Sequence, residues 1–244
     1  MKRIPDFDRA PEMKHLTWKP ILFNLHEAHE ELDELHCRLH FLAFGDMPDD
    51  CPDEDGSCRA WIEERDKRHP FTENALHVSL AHAYHHLNFA WNVRRTPEER
   101  AWRCATQDFL RWGRFPRTQE FEDLWPAKED IQKTKREPGF ARINFSLPRA
   151  SILPAKHQLG ILCYLVAKEL GEHSRWSLRP DGLSEEIGAH PLTEKEFAER
   201  MHSIYELLNQ AWNGRKDKAT ITRLPAIRRR KCFSPMFMPS SPAT

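Results

Sequence analysis

Hydrophobic residues recur three or four positions apart along two stretches of the chain, residues 72–94 and 193–215. The first stretch carries Leu76, Leu80, Tyr84, Leu87 and Trp91, and the second carries Met201, Tyr205, Leu208 and Trp212. In an α-helix this spacing places the side chains on one face, which a globular protein buries. Each stretch is therefore predicted to form an amphipathic helix of about 22 residues.

The two predicted helices begin in the same way. Thr72 and Thr193 stand where an N-cap residue belongs, and Glu73 and Glu194 follow in the first turn. A threonine side chain satisfies a free backbone N–H at a helix start, and an acidic side chain favours the positive end of the helix dipole. Thr193 with Glu196 also completes a capping box. Both helix starts are therefore predicted at the threonines.

Residues 69–94 and 190–215 also share their identities. They align without a gap at an offset of 121, and 11 of the 26 aligned positions are identical. Matched tryptophans and asparagines are improbable by chance, so the pattern indicates an internal duplication. The identical pairs are His69/His190, Pro70/Pro191, Thr72/Thr193, Glu73/Glu194, Tyr84/Tyr205, Leu87/Leu208, Asn88/Asn209, Ala90/Ala211, Trp91/Trp212, Asn92/Asn213 and Arg94/Arg215.

A further helix is predicted before each of these two, over residues 25–39 and roughly 155–176. Glu31-Leu32-x-Glu34 matches Glu169-Leu170-x-Glu172, now at an offset of 138. The acidic insert at residues 45–68 lengthens the first connection and explains the larger offset. The predicted fold is all-α: two tandem, diverged helical-hairpin units that together form a helical bundle.

A third helix is predicted after the first unit, over residues 96–113, because Thr96-Pro97 followed by two glutamates is a strong start signal. Its buried face is predicted to carry Trp102, Ala105, Phe109 and Trp112. A short extended piece is predicted at residues 142–147. The predicted organisation is an N-terminal arm (1–19), unit 1 with the insert and the third helix (20–117), a connector (118–150), unit 2 (151–217) and a basic, proline-rich tail (218–244).

Charge and cysteine usage narrow the class of protein. The chain has 37 basic and 37 acidic residues, so no overall field recruits nucleic acid or a membrane. Residues 1–14 lack the apolar core of a signal peptide, and the longest apolar run, residues 161–167, is too short to span a bilayer. The six cysteines form no Cys-x-x-Cys. These features predict a cytoplasmic protein with reduced thiols and no membrane partner.

The polar residues that both stretches retain are the first candidate site. One interpretation is structural, with Arg94 paired to Glu31, Arg215 paired to Glu169, and the asparagines bonded to loop backbone. The other is that the two units pack about a pseudo-twofold axis and line a common groove for a ligand or a peptide. The candidate binding residues are Asn88, Asn92, Arg94, Asn209, Asn213 and Arg215.

Histidines of the first unit are the second candidate site. Imidazoles one helical turn apart can bind one ion, so a zinc or iron site between the first two helices is conceivable. The candidate ligands are His29, Asp33, His36, His40, His82 and His85. A different zinc site would combine Cys51 and Cys58 with His36, Cys37 or His40, although this spacing matches no standard knuckle. The second unit does not repeat the histidines, which favours a structural role for them.

No signature of a nucleotide-binding or serine-hydrolase site occurs in the chain. The sequence therefore favours a non-catalytic binding or adaptor protein that offers a groove between its two units to a protein partner. The first alternative is a metal-dependent helical-bundle enzyme that uses the histidines. The second is a nucleic-acid-associated subunit that binds phosphates through the basic cluster Arg228, Arg229, Arg230 and Lys231.

Overall fold

The computed structural model describes residues 17–49, 51, 56–116, 118–124, 145–172 and 190–215, which are mostly helical and contain no strand. The predicted all-α class is confirmed. In chain order the described helices are α1 (Trp18–Phe44), α2 (Ser57–Arg68), α3 (Glu73–Val93), α4 (Glu98–Arg103), α5 (Thr106–Trp112), the 3₁₀ segment Gln119–Leu124, α6 (Ser146–Glu169) and α7 (Glu194–Gly214). The basic tail and most of the predicted N-terminal arm and connector lie outside these residues.

Four long helices, α1, α3, α6 and α7, form the bundle. α1 packs along both α3 and α6, α6 packs along α7, and α3 faces α7. Along the α1–α6 contact, Lys156 pairs with Asp33 and Arg149 donates to His40, so the two helices run antiparallel. The facing apolar stripes of α1, α3, α6 and α7 form one continuous core.

Side-chain size decides how closely the helices approach. Where α1 meets α6 the facing residues include Gly160, and a Cβ atom there would lie 3.3 Å from His29 Nε2. Where α3 meets α7 the space is filled by rings, among them Tyr84, Tyr205 and Trp91. The bundle is therefore tight along α1–α6 and wide along α3–α7.

The predicted caps of α3 and α7 are confirmed. Thr72 Oγ1 accepts a hydrogen bond from Ala75 N at 3.3 Å, and Thr193 Oγ1 accepts one from Glu196 N at 3.1 Å. At the C-terminal end of α1, Gly45 adopts the left-handed conformation with φ 82°, which a residue without a Cβ reaches without strain. Local sequence signals thus set these helix ends.

The predicted third helix is two short helices, because the chain turns at Cys104 and Ala105 between α4 and α5. Only Trp112 of the predicted buried face is buried, at 4% exposure, and helix α5 does end before Gly113 as expected. Trp102 and Phe109 are 51% and 49% exposed. The prediction of one continuous buried stripe is therefore wrong, since the turn gives each short helix its own orientation.

The predicted loop at residues 45–68 contains α2. Ile62 of this helix is fully buried, and the guanidinium of the buried Arg38 on α1 donates to Asp66. One buried apolar residue and two ion pairs, the second between Arg65 and Glu34 of α1, thus hold a helix whose sequence is mostly polar.

The helix predicted over roughly residues 155–176 also differs from its prediction. It begins at Ser146 rather than near residue 155, ends at Glu169, and is followed by Gly171 at φ 71°. The extended piece predicted at 142–147 is therefore wrong at residues 146–147, which are helical, and residues 142–144 lie outside the described part. Within α6, residues 147–169 have the length of a membrane span, and an 18-residue window among them has a mean hydropathy of 1.2, with half of that window buried inside the bundle. Core helices of globular bundles meet the same criteria.

Candidate functional site

The polar residues shared by the two stretches meet where α3 faces α7. Tyr84 Oη donates to Asn209 Oδ1 at 2.5 Å, and Tyr205 Oη donates to Asn88 Oδ1 at 2.8 Å. The two phenol rings stack with centroids 5.3 Å apart. Burial raises the pKa of both tyrosines, so each hydroxyl keeps its proton and acts as a donor. The two hydrogen bonds are reciprocal across this contact.

The ends of the same two helices are joined by ion pairs. Arg94 Nε donates to Glu194 Oε1 at 2.8 Å, and Arg215 Nε donates to Glu73 Oε1 at 2.6 Å. The end of each helix therefore lies beside the start of the other, and α3 and α7 run antiparallel.

Each arginine also covers a tryptophan of its own helix. The guanidinium carbon of Arg94 lies 3.7 Å from the ring centre of Trp91, and that of Arg215 lies 3.4 Å from Trp212. Each guanidinium donates as well to the carbonyl oxygen of its tryptophan. An arginine in this position combines a cation–π contact with two hydrogen-bonded partners.

The predicted pairing of Arg94 with Glu31 and of Arg215 with Glu169 is wrong. Glu31 accepts from His82 in the middle of α3, and Glu169 accepts from the backbone N of Leu192. The antiparallel packing of α3 against α7 explains the difference. It places Arg94 beside the start of α7 and Arg215 beside the start of α3, and the predicted partners lie elsewhere, on α1 and α6. The different settings of Glu31 and Glu169 also contradict the alignment at offset 138.

The predicted binding residues do not line an open groove. Asn88, Asn209, Arg94 and Arg215 are buried, at 1–9% exposure, within the α3–α7 contact. Asn92 Nδ2 donates to the carbonyl oxygens of Trp112 and Arg114, and Asn213 alone of the six is exposed. At the four buried positions the polar pattern serves a closed interface, in which buried polar groups bond to one another, and not a groove.

Removing one tyrosine hydroxyl tests this interface. Tyr84→Phe leaves Asn209 Oδ1 without its donor inside the core, and it also removes the bond to the carbonyl oxygen of Tyr205. We expect the free energy of unfolding in urea to fall by about 1–3 kcal/mol. Tyr205→Phe should cost a similar amount through Asn88. A cost below about 0.5 kcal/mol in either variant would show that the bond is not formed in solution.

Four of the predicted metal ligands, all on α1, have other roles. Asp33 pairs with Lys156, and His40 contacts both Asp46 and Arg149. His29 packs against Gly160, where burial lowers its pKa, and His36 is buried beside the ring of His40. These side chains serve the contact between α1 and its neighbours.

The histidines of α3 are arranged differently from the prediction. His85 packs against the ring of Phe109, with centroids 4.5 Å apart. His86, which is not among the predicted ligands, faces His82 with the two Nε2 atoms 3.3 Å apart. His82 Nδ1 lies 2.8 Å from Glu31 Oε2, and His86 Nδ1 lies 3.1 Å from Asn24 Oδ1. Both of these partners are on α1. Burial, followed by the neighbouring His82 and His85, lowers the pKa of His86 to about 4. The His-x3-His spacing of His82 and His86 is the sequence signal that could have identified this pair.

The cysteine alternative combines Cys51 and Cys58 with His36, Cys37 or His40, and in the structure Cys37 is hydrogen-bonded to Cys51. Burial first, then Asp33 and the hydrogen-bonded Cys51, raise the pKa of the Cys37 thiol. The Cys37 thiol thus lies close to Cys51 and Cys58 in the structure, and a zinc site on these cysteines stays a prediction.

An aromatic patch is exposed beside the start of α1. It consists of Phe23 and Trp102, which are 50% and 51% exposed and whose rings meet edge to face at 5.8 Å. A shallow cleft of about 390 Å³ adjoins the patch between the start of α1 and the end of α6. The residues lining the cleft are Lys19, Leu22, Phe23, His26, Leu170 and Glu172.

Comparisons of the chain with models of known protein families, with curated protein sequences and with solved structures give no match. The basic cluster Arg228 to Lys231 lies outside the described residues, so its predicted contact with nucleic acid stays a prediction.

Proposed function

We propose first that the chain is an internal duplication whose two hairpins, α1–α3 and α6–α7, pack about a pseudo-twofold axis. The reciprocal bonds support this, because Tyr84 and Tyr205, Asn88 and Asn209, and Arg94 and Arg215 exchange equivalent partners at the offset of 121. Under this proposal the retained polar residues hold the two halves together. They were kept in both copies because each copy supplies one half of the joint.

The first helix of each copy is better aligned at an offset near 131 than at 138. Arg38 donates to the carbonyl oxygen of His69, between α2 and α3, and Glu169 accepts from the backbone N of Leu192, just before α7. Arg38 and Glu169 thus both contact the segment that leads into the last helix of their own hairpin. His29 and Gly160, also 131 residues apart, face each other across the contact of α1 with α6.

We propose second that the protein is a non-catalytic binding protein whose partner docks on the aromatic patch of Phe23 and Trp102. The observation that carries this proposal is the exposure of two adjoining aromatic rings next to an apolar cleft. Exposed aromatic clusters typically mark interaction sites, and tryptophan is among the residues that contribute most to binding energy.

The shape of the cleft favours a protein segment over a small molecule. The cleft is open and shallow and lies between the ends of two helices, with Leu22 and Leu170 inside it and Lys19 and Glu172 among its lining residues. An amphipathic helix can place an apolar side chain over the leucines and the aromatic rings while its polar flank meets the charged residues. The proposed partner is therefore a protein that presents such a helix.

Substituting the patch tests the proposal. The immobilised full chain should retain one partner from an extract of its own cells, and Phe23→Ala/Trp102→Ala should retain at least about 30-fold less, as loss of a hot spot of about 2 kcal/mol implies. Trp61→Ala is the matched control, because Trp61 is an exposed tryptophan on a different helix, α2.

Three results would contradict the proposal. One is an endogenous protein that remains a free monomer in extract by size measurement. The second is a partner retained equally by the patch variant and by Trp61→Ala. Self-association of the pure protein through the patch would also exclude a different partner there.

A further inference from the structure

Hydrogen-bond partners determine where the protons of His82 and His86 lie. The side-chain amide of Asn24 donates through Nδ2 to the carbonyl oxygen of Pro20 at 2.9 Å, which leaves Oδ1 facing His86 Nδ1. A carbonyl oxygen and a carboxylate oxygen can only accept, so Asn24 and Glu31 both require a proton on the Nδ1 atom that they contact. Each ring, when it is neutral, is thus held as its Nδ1–H tautomer.

This arrangement directs two lone pairs at each other. In a neutral imidazole with Nδ1 protonated, Nε2 carries a lone pair and no hydrogen. The Nε2 atoms of His82 and His86 lie only 3.3 Å apart. Two lone pairs at that separation repel unless a positive charge lies between them. The hydrogen bonds to α1 therefore prepare a place for a cation.

The spacing fits one metal ion. A tetrahedral ion with metal–nitrogen bonds of about 2.0–2.1 Å holds two of its nitrogen ligands about 3.4 Å apart. His82 and His86 are four residues apart on α3, so both rings project from the same side of one rigid helix. A helix keeps this separation without further support.

We propose that His82 and His86 bind one divalent transition-metal ion of the zinc class through their Nε2 atoms. Neutral imidazole suits zinc, copper and nickel, and it does not suit calcium or magnesium. Glu31 and Asn24 are positioning residues, because they fix the tautomer and the orientation of each ring from the opposite side. Carboxylate–histidine–metal arrangements of this kind recur in zinc proteins.

The surroundings leave coordination positions open. His82 is exposed, and the two imidazoles supply two of the four positions expected for zinc, so water or a bound molecule completes the sphere. On the neighbouring surface of α1, the possible ligand atoms of His26, Glu27 and Glu30 lie within 4.8 Å of one another. These two carboxylates raise the local concentration of cations. Such a site binds metal reversibly and is not a closed structural site.

Calorimetry with zinc chloride tests the proposal on untagged full-length protein stripped with a chelator. We expect about one equivalent of Zn²⁺ to bind, and we expect His82→Asn/His86→Asn to abolish that binding. Glu31→Gln should weaken binding about 10-fold, since a side-chain amide no longer enforces the Nδ1–H tautomer. His157→Asn, an exposed histidine on α6, is the matched control and should leave binding unchanged. Cys51→Ser/Cys58→Ser should likewise bind normally, which separates this site from the cysteines.

Nitrogen NMR of the metal-free protein gives an independent readout. Both rings should show a proton on Nδ1 and none on Nε2, and zinc should shift only the Nε2 signals. A proton on either Nε2 would overturn the proposal, because the pair would then be an ordinary hydrogen bond. Unchanged zinc affinity in the double histidine variant would overturn it as well. Far-ultraviolet circular dichroism checks that each variant keeps its helices.

Discussion

Trp91→Ala should lower the free energy of unfolding by about 3–5 kcal/mol and the melting temperature by about 10 °C. The Trp91 side chain is 1% exposed and lies flat against Phe197 of α7, with ring centroids 5.8 Å apart and planes 7° from parallel. The ring of Phe121 meets the Trp91 ring edge-on, with centroids 4.9 Å apart, and the guanidinium of Arg94 lies over the Trp91 ring. The substitution thus opens a cavity between helices α3 and α7 and removes a cation–π contact.

Urea unfolding followed by circular dichroism measures the effect of this substitution. Trp102→Ala is the matched control, because its exposed ring should change stability by no more than about 0.5 kcal/mol. Trp212→Ala should also be strongly destabilising, since Trp212 is buried beneath Arg215 and contacts the ring of His77. A Trp91→Ala variant no less stable than Trp102→Ala would contradict the packing described for this helix pair.

Glu194→Ala should cost about 3 kcal/mol, because it leaves the largely buried guanidinium of Arg94 without its counter-charge. Glu194 Oε1 accepts from Arg94 Nε at 2.8 Å, and both carboxylate oxygens accept from Arg95. The carboxylate also stands in the first turn of α7, where it complements the helix dipole. Glu199→Ala on the same helix is the control, since its pair with Lys195 is exposed and contributes little.

The contribution of Glu194 should depend on pH in a defined direction. Burial acts to raise the pKa of Glu194, but hydrogen bonds from Arg95 and Arg94 outweigh it and hold the pKa below its ordinary value of 4.5. A carboxyl with a lowered folded-state pKa contributes fully above its unfolded pKa and loses that contribution as pH falls through the folded pKa. The stability difference between the wild type and Glu194→Ala should therefore be constant near neutrality and shrink below about pH 4.5. A difference that grows on acidification would contradict this assignment.

Much of the helical framework follows from local patterns. The apolar spacing and the threonine caps predicted α3 and α7 to within a residue or two at each end, since both signals arise within one helix. The two short helices near residues 98–112 were predicted less well. Their apolar spacing continues through the turn at Cys104, so periodicity alone does not reveal the change of direction.

The candidate sites were harder to predict, because their chemistry depends on which helix faces which. The identical residues at offset 121 were recognised as important, but the same identities suit an open groove or a closed joint. His86 was passed over in favour of His85, although both lie on one helix. What distinguishes them is the neighbour: His86 meets Asn24 of α1, and His85 meets Phe109 of α5.

By itself the sequence of this protein determined an all-α class, two capped amphipathic helices and a set of identical polar residues at positions 121 residues apart. The first two features depend on interactions within about four residues along the chain, and the third follows from comparing the sequence with itself. Only the tertiary structure decided that Arg94 pairs with Glu194, that the asparagines accept from tyrosines of the opposite helix, and that His82 and His86 present their Nε2 atoms to each other. Those choices depend on the packing of residues as far as 142 positions apart, which no local pattern encodes.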